Sequence, residues 1–115
     1  MVYKTTMNTS RRQNKVAEEI AHKAGVFLAL YVRAGGALIT VTRADIAPDL
    51  KNVTIFVSIL PKSREEEMMK TLKRLRTDFH EYLKDKTVLR NVPTVDFVLD
   101  IGELNRQRID ALTKK

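Results

Sequence analysis

The chain has 115 residues, 43% of them hydrophobic, and no cysteine, which bounds it to one modest core and excludes disulfides and thiolate metal sites. Lys and Arg number 21 against 14 Asp and Glu, a net charge of +7, and so basic a protein favours a polyanionic partner, nucleic acid before an anionic membrane. No apolar run reaches the roughly 18 residues of a membrane span, and Met1–Asn8 holds no signal-like stretch, so a cytoplasmic protein is expected.

Residues 1–9 are polar and expected to be flexible. From Ser10, the apolar residues Val16, Ile20, Ala24, Phe27 and Tyr31 keep one helical face, with Ala17 and Leu28 at its margin. Asn8, Thr9 or Ser10 can cap this helix, and Gly35-Gly36 is expected to end it. Arg11, Arg12, Lys15 and Lys23 fall on its outer side, and residues 1–36 carry a net +4. The helix dipole disfavours positive charge at an N-terminus. Phosphate contact is the functional reason that fits these residues, and chance is the alternative.

Ala37 to Ile46 reads as a strand whose phase slips. Ile39 and Val41 alternate in one register and Ala44 and Ile46 in the other, so one extra residue near Arg43, a β-bulge, is expected. Ala47-Pro48-Asp49 is a turn. Leu50 to Leu60 is the clearest strand, with Val53, Ile55, Val57 and Ile59 on the face meant for the helices. Thr54, Phe56, Ser58 and Leu60 fall on the other, more open face.

Ser63 to Arg90 carries Met68, Leu72, Leu75, Phe79, Tyr82 and Leu83 at steps of three and four, one helical stripe. Lys70, Lys73 and Lys84 are expected on the opposite side as a basic rail, and residues 62–90 carry a net +3. Ser63 with Glu66 has the spacing of a capping box. Thr77 and Asp78, with Glu81 three positions after Asp78, repeat that start signal inside the stripe. Two geometries follow, one long helix or two helices with a break and a new start near Asp78, and the repeated signal favours the second. A second N-terminus would present unpaired N–H groups to a phosphate, with Arg76 beside them.

Val92-Pro93 opens a last strand with Val95, Phe97 and Leu99 alternating, and Gly102 ends it. Residues 103–115 form a polar tail in which Leu104, Ile109 and Leu112 allow a short helix. The order is α-β-β-α-α-β, an α+β domain over 1–115 with one three-stranded mixed sheet and helices on one face. The last two strands, joined through the helix pair, are expected to be parallel neighbours. No reaction is assigned. His22 and His80 lie far apart, and the pairs Asp45/Asp49 and Asp96/Asp100 sit beside turns or strand ends, where Asp serves turn chemistry. No cofactor, metal site or small-molecule substrate is expected. Two function classes fit the residues. One is an RNA-binding module that reads shape through phosphate contacts; the other is a protein-interaction module, dimeric or not, that works through the open sheet face around Phe56 and Leu60.

The element order is that of a type II KH domain, and three stretches resemble the ribosome-binding factor A family. They are Asp45-Ile46-Ala47-Pro48-Asp49-Leu50-Lys51-Asn52-Val53-Thr54-Ile55-Phe56-Val57-Ser58, Leu89-Arg90-Asn91-Val92-Pro93-Thr94-Val95-Asp96-Phe97-Val98-Leu99-Asp100, and Arg11-Arg12-Gln13-Asn14-Lys15-Val16-Ala17-Glu18-Glu19-Ile20. In an ordinary KH domain a GxxG loop between paired helices receives the nucleic-acid backbone, and none occurs here. The family resembled has a kink with an alanine–any–glycine motif instead; this chain has Arg76-Thr77-Asp78 there and no glycine. The resemblance implies a non-catalytic assembly factor, monomeric when free, that binds the small ribosomal subunit and its RNA during late maturation and rRNA processing. The expected RNA contacts are Arg11, Arg12, Lys15, Lys23, Lys70, Lys73, Arg76, Thr77, Asp78, Lys84 and Arg90.

Overall fold

Val53, Ile55, Val57 and Ile59 are each no more than 2% exposed, while Thr54, Phe56 and Ser58 between them are half-buried. The two-residue period of the sequence thus becomes the two faces of strand β2 (Asn52–Leu60). β2 is the central strand of three. Strand β1 (Leu38–Ile46) pairs with it antiparallel, and strand β3 (Thr94–Leu99) pairs with it in parallel. The β1 register shifts between Val41 and Arg43, which is the expected bulge. Its consequence is that Ile39, Val41, Ala44 and Ile46 all turn half-buried to one side. The computed structural model describes residues 11–32, 35–89 and 91–102. The expectations for residues 1–10, for Arg90 and for the tail over 103–115 lie outside the described residues.

Helix α1 (Arg11–Tyr31) lies along β1 and buries Ile20, Ala24, Phe27 and Leu28, with Val16 packed at the edge of the core. Two details depart from the periodicity. Leu28, assigned to the margin, is 5% exposed, whereas Tyr31, assigned to the apolar face, is 59% exposed. Gln13 is buried as well and donates through Nε2 to Ile46 O at 3.5 Å, joining the start of α1 to the end of β1. The helix also stops earlier than the glycines imply. It ends at Tyr31, and Gly35 and Gly36, with φ of 57° and 93°, form the turn into β1 instead.

The Ser63–Arg90 stretch is two helices, α2 (Glu65–Arg74) and α3 (Arg76–Lys86), broken at Leu75. Met68, Leu72, Phe79 and Leu83 are buried against the sheet, so the stripe read from the sequence runs through both. The expected capping box does not form. Ser63 lies inside a 3-10 turn (Lys62–Arg64), and α2 starts after Arg64 with no side-chain cap. Arg64 binds Glu67 at 2.7 Å and donates to Gly35 O at 2.9 Å, so it ties the start of α2 to the glycine turn. No helix among the described residues is long and apolar enough to cross a membrane.

Candidate nucleic-acid interface

The second helix start lies three residues before the expected one. Leu75, at φ −90° and ψ 5°, stands at the N-cap of α3 without a side-chain cap, and the first bond inside the new helix is Phe79 N–H to Leu75 O at 2.9 Å. The N–H groups of Arg76, Thr77 and Asp78 precede that bond, as at any helix start. Asp78 is therefore a first-turn acid and not the cap. Its sequence signal was sound for a helix N-terminus but offset. The break is made by the backbone of Leu75, whose half-buried side chain is anchored in the core.

The basic rail divides. Lys70 keeps an outward position, 71% exposed and 3.9 Å from Glu66. Lys73 does not: it turns onto the edge strand and donates to Asp96 Oδ1 at 2.8 Å. Arg76 joins it at 3.4 Å and also donates through Nε to Lys73 O at 2.9 Å. Asp96 completes the cluster by accepting the Phe97 N–H at 2.9 Å. Partial burial pulls its carboxyl upward. The Lys73 hydrogen bond and charge, the Phe97 N–H and the Arg76 charge together outweigh that, and hold it below the usual carboxylate range. Helical periodicity does not reveal this pairing, because Asp96 arrives from a strand more than twenty residues later.

A second group forms at the end of the sheet where β2 and β3 begin, two residues along β3 from Asp96. Arg12 and Lys51 border a cleft of about 690 Å³ between the start of α1, the β1–β2 turn and the α3–β3 loop, with Val88, Leu89 and Pro93 as apolar lining. Asn91 borders this cleft and also the adjoining hollow of His80, Lys84 and Val92. Arg12 and Lys84, seventy-two positions apart in sequence, thus flank one loop. Arg11 and Lys15 are exposed beside Arg12. Lys84 also approaches Glu81 at 3.6 Å. Lys23, half-buried in the middle of α1, belongs to neither group. Arg90, an expected contact at the end of the Ser63–Arg90 stretch, lies outside the described residues.

Lys51 was not among the expected contacts. It follows a turn in which Asp49 Oδ1 accepts its N–H at 2.9 Å and Leu50 takes a positive φ of 62°. A single Lys after a turn is too common to be singled out without the neighbours that folding supplies. Arg43 was also passed over; its guanidinium stacks 3.8 Å above Phe56 and covers part of the open sheet face. The four paired aspartates serve structure. Asp45 binds Arg43 at 2.7 Å and Asp100 accepts from Thr42 Oγ1 at 2.6 Å, while Asp49 and Asp96 hold backbone N–H groups. Among the described residues no group of three or more His, Asp or Glu is placed to hold a metal ion.

A family model described as ribosome-binding factor A matches residues 12–113. Ribosome-binding factor A of Coxiella burnetii (strain RSA 493 / Nine Mile phase I) is 34% identical over 107 residues, covering 92% of this chain and 90% of that one. The protein of that name from Anaeromyxobacter sp. (strain Fw109-5) is 35% identical over 113 residues, covering 95% and 92%. In fold, the chain is similar to the crystal structure of ribosome-binding factor A from Thermus thermophilus, with a TM-score of 0.65 and 17% identity over 76% of this chain and 94% of that one. It is also similar to coordinates of the Thermus thermophilus protein fitted into a cryo-EM map of a 30S complex, with a TM-score of 0.63 and 16% identity over 71% and 88%.

Proposed function

The chain belongs to the ribosome-binding factor A family, and from that premise we propose that it binds the small ribosomal subunit through the subunit's RNA and assists its late maturation and rRNA processing. The observation that carries the reading is the family match across residues 12–113. The fold neighbour fitted to a 30S complex supports the choice of subunit.

The cation groups supply the chemistry. Arg12, Lys51 and Lys84, with Arg11 and Lys15 beside them, present a basic end that an RNA backbone can lie across. Lys70 and the α2–α3 break provide a second contact, where Arg76 and Thr77 stand by the open N–H groups of α3. Among the described residues no Phe or Tyr ring lines the Arg12, Lys51 and Lys84 group, so its contacts favour the shape and charge of the RNA over its sequence. The protein acts by binding, as a monomer, and no reaction is assigned to it.

Sedimentation with purified small subunits over a salt series tests this reading. Binding through several phosphates loses affinity steeply as salt rises. Binding that holds unchanged from low to moderate salt would overturn the RNA-contact reading. In cells lacking the protein, unprocessed small-subunit RNA is expected to accumulate; normal processing there would remove the maturation role.

A further inference from the structure

Helix α3 keeps its charges in two stripes. Arg76, His80 and Lys84 follow at four-residue steps on the side of β3 and its preceding loop. Asp78, Glu81 and Asp85 run along the other side and face α1. There the three acids share a groove of about 450 Å³ with Phe27, Tyr31 and Tyr82. The Phe27 ring centroid lies 5.1 Å from that of Tyr31 and 5.2 Å from that of Tyr82, and the two tyrosines meet at 6.1 Å. Phe27 is buried in the core, but Tyr31 remains 59% exposed. Among the described residues, Asp78 and Asp85 have no ion-pair partner within 4 Å, and Glu81 has Lys84 at 3.6 Å and the His80 ring at 4.0 Å.

We propose that this groove receives a lysine- or arginine-bearing segment of a partner polypeptide. The carboxylates would take the charge, and the faces of Tyr31 and Tyr82 would take the cation or its aliphatic stem. Charge complementarity selects this occupant. The chain as a whole is +7, yet this groove gathers acid beside open aromatic surface. It repels a polyanion, and a neutral segment leaves its carboxylates unmatched. The inference rests on the proposed work at a ribonucleoprotein surface, where proteins lying on RNA are basic so as to neutralise phosphate. The two stripes of α3 then meet the two kinds of surface such a particle offers, RNA on one side and basic polypeptide on the other.

The test is an NMR titration of the isotope-labelled full chain with a short arginine–glycine peptide, alongside a glutamate–glycine peptide of equal length. The basic peptide is expected to move signals of Tyr31, Asp78, Tyr82 and Asp85, and the acidic peptide to move none of them. Asp85→Asn, which leaves every proposed RNA contact in place, is expected to weaken the basic peptide at least about threefold, since a charge-assisted contact is lost. Tyr31→Ala is expected to weaken it and Tyr31→Phe to retain it; both substituted positions, Tyr31 and Asp85, are exposed, so the fold persists, which the spectra themselves report. No localised shift, or shifts unchanged in these variants, overturns the proposal. Shifts that grow with protein concentration alone assign the groove to a second copy of the chain and overturn it equally. Small-subunit sedimentation of the same variants separates the two readings. Lost peptide binding with retained subunit binding confirms the groove and leaves the RNA reading standing. Lost subunit binding in the parent sinks the RNA reading whatever the peptide does.

Discussion

Asp96 gathers Lys73, Arg76 and the Phe97 N–H on one carboxylate, and so fastens the α2–α3 break to the edge of the sheet. Its side chain is 44% exposed, so solvent screens the ion pairs. Asp96→Asn is expected to cost only about 0.5–1 kcal/mol in chemical denaturation at neutral pH. Because the folded carboxyl is held below its ordinary value, its contribution is complete above the unfolded value of about 3.9. It is lost as the pH falls through the lower folded value. The stability gap between parent and Asp96→Asn should therefore close in acid, and a gap that widens there would remove the ion-pair account. Ile55 is the contrasting case. It is 0% exposed on the helix-facing side of β2, and Ile55→Ala is expected to cost about 2–5 kcal/mol. A loss under about 0.5 kcal/mol would contradict that burial.

At the scale of the element, the break at Leu75 changes what Asp78 is worth. As a cap its removal would cost roughly 0.5–2 kcal/mol. As a first-turn acid it gives only its interaction with the helix dipole, about 0.3–1 kcal/mol, partly offset in Asp78→Ala by the better helix propensity of alanine. Denaturant unfolding of Asp78→Ala should accordingly show a loss of about half a kcal/mol or less. A loss above about 1 kcal/mol would restore the capping role. The starts of α1 and α3 also differ in kind. Helix α1 has no acid in its first turn and carries Arg11 and Arg12 there, whereas α3 carries Asp78. Charge reversal of Arg11, Arg12 and Lys15 together should leave stability equal or slightly raised, through the dipole, while weakening subunit binding. Reversal of Lys70, Lys73 and Lys84 should weaken binding too, but at some cost in stability, because Lys73 holds Asp96.

Across the whole molecule the basic cleft bordered by Arg12 and Lys51 and the acidic groove of Asp78, Glu81 and Asp85 are lined by different residues, so charge variants should act on them separately. The slope of log affinity against log salt for small subunits is expected to fall by roughly 0.7–0.9 for each phosphate contact removed. The Arg11, Arg12 and Lys15 triple reversal should therefore flatten the slope by about 2 or more if each residue meets a phosphate. An unchanged slope with weaker binding would point to lost packing in place of lost phosphate contacts. The open sheet face is a poorer docking surface than its apolar residues imply. Arg43 covers Phe56, and the exposed Leu38 and Leu60 are paired at one end of the sheet.

What the sequence determined by itself was whatever local period or spacing controls. The two-residue alternation of Val53 to Ile59 set the core face, and the phase slip at Arg43 announced the bulge. The three-and-four stripe from Met68 to Leu83 persisted through a helix break that the repeated start signal had already located within three residues. Caps were less legible. Ser63 was displaced by a 3-10 turn and Asp78 by the backbone of Leu75, because either side chain can serve several neighbouring positions and packing selects among them. The site was legible only as a set of cations. Tertiary structure decided that Lys73 and Arg76 belong to Asp96, that Arg12, Lys51 and Lys84 surround one loop, and that Asp78, Glu81 and Asp85 meet the aromatic end of α1. Each of those pairings joins residues distant in sequence across a parallel crossover or a helix crossing, and electrostatics acts through space, where a chain read in order has no coordinate for it.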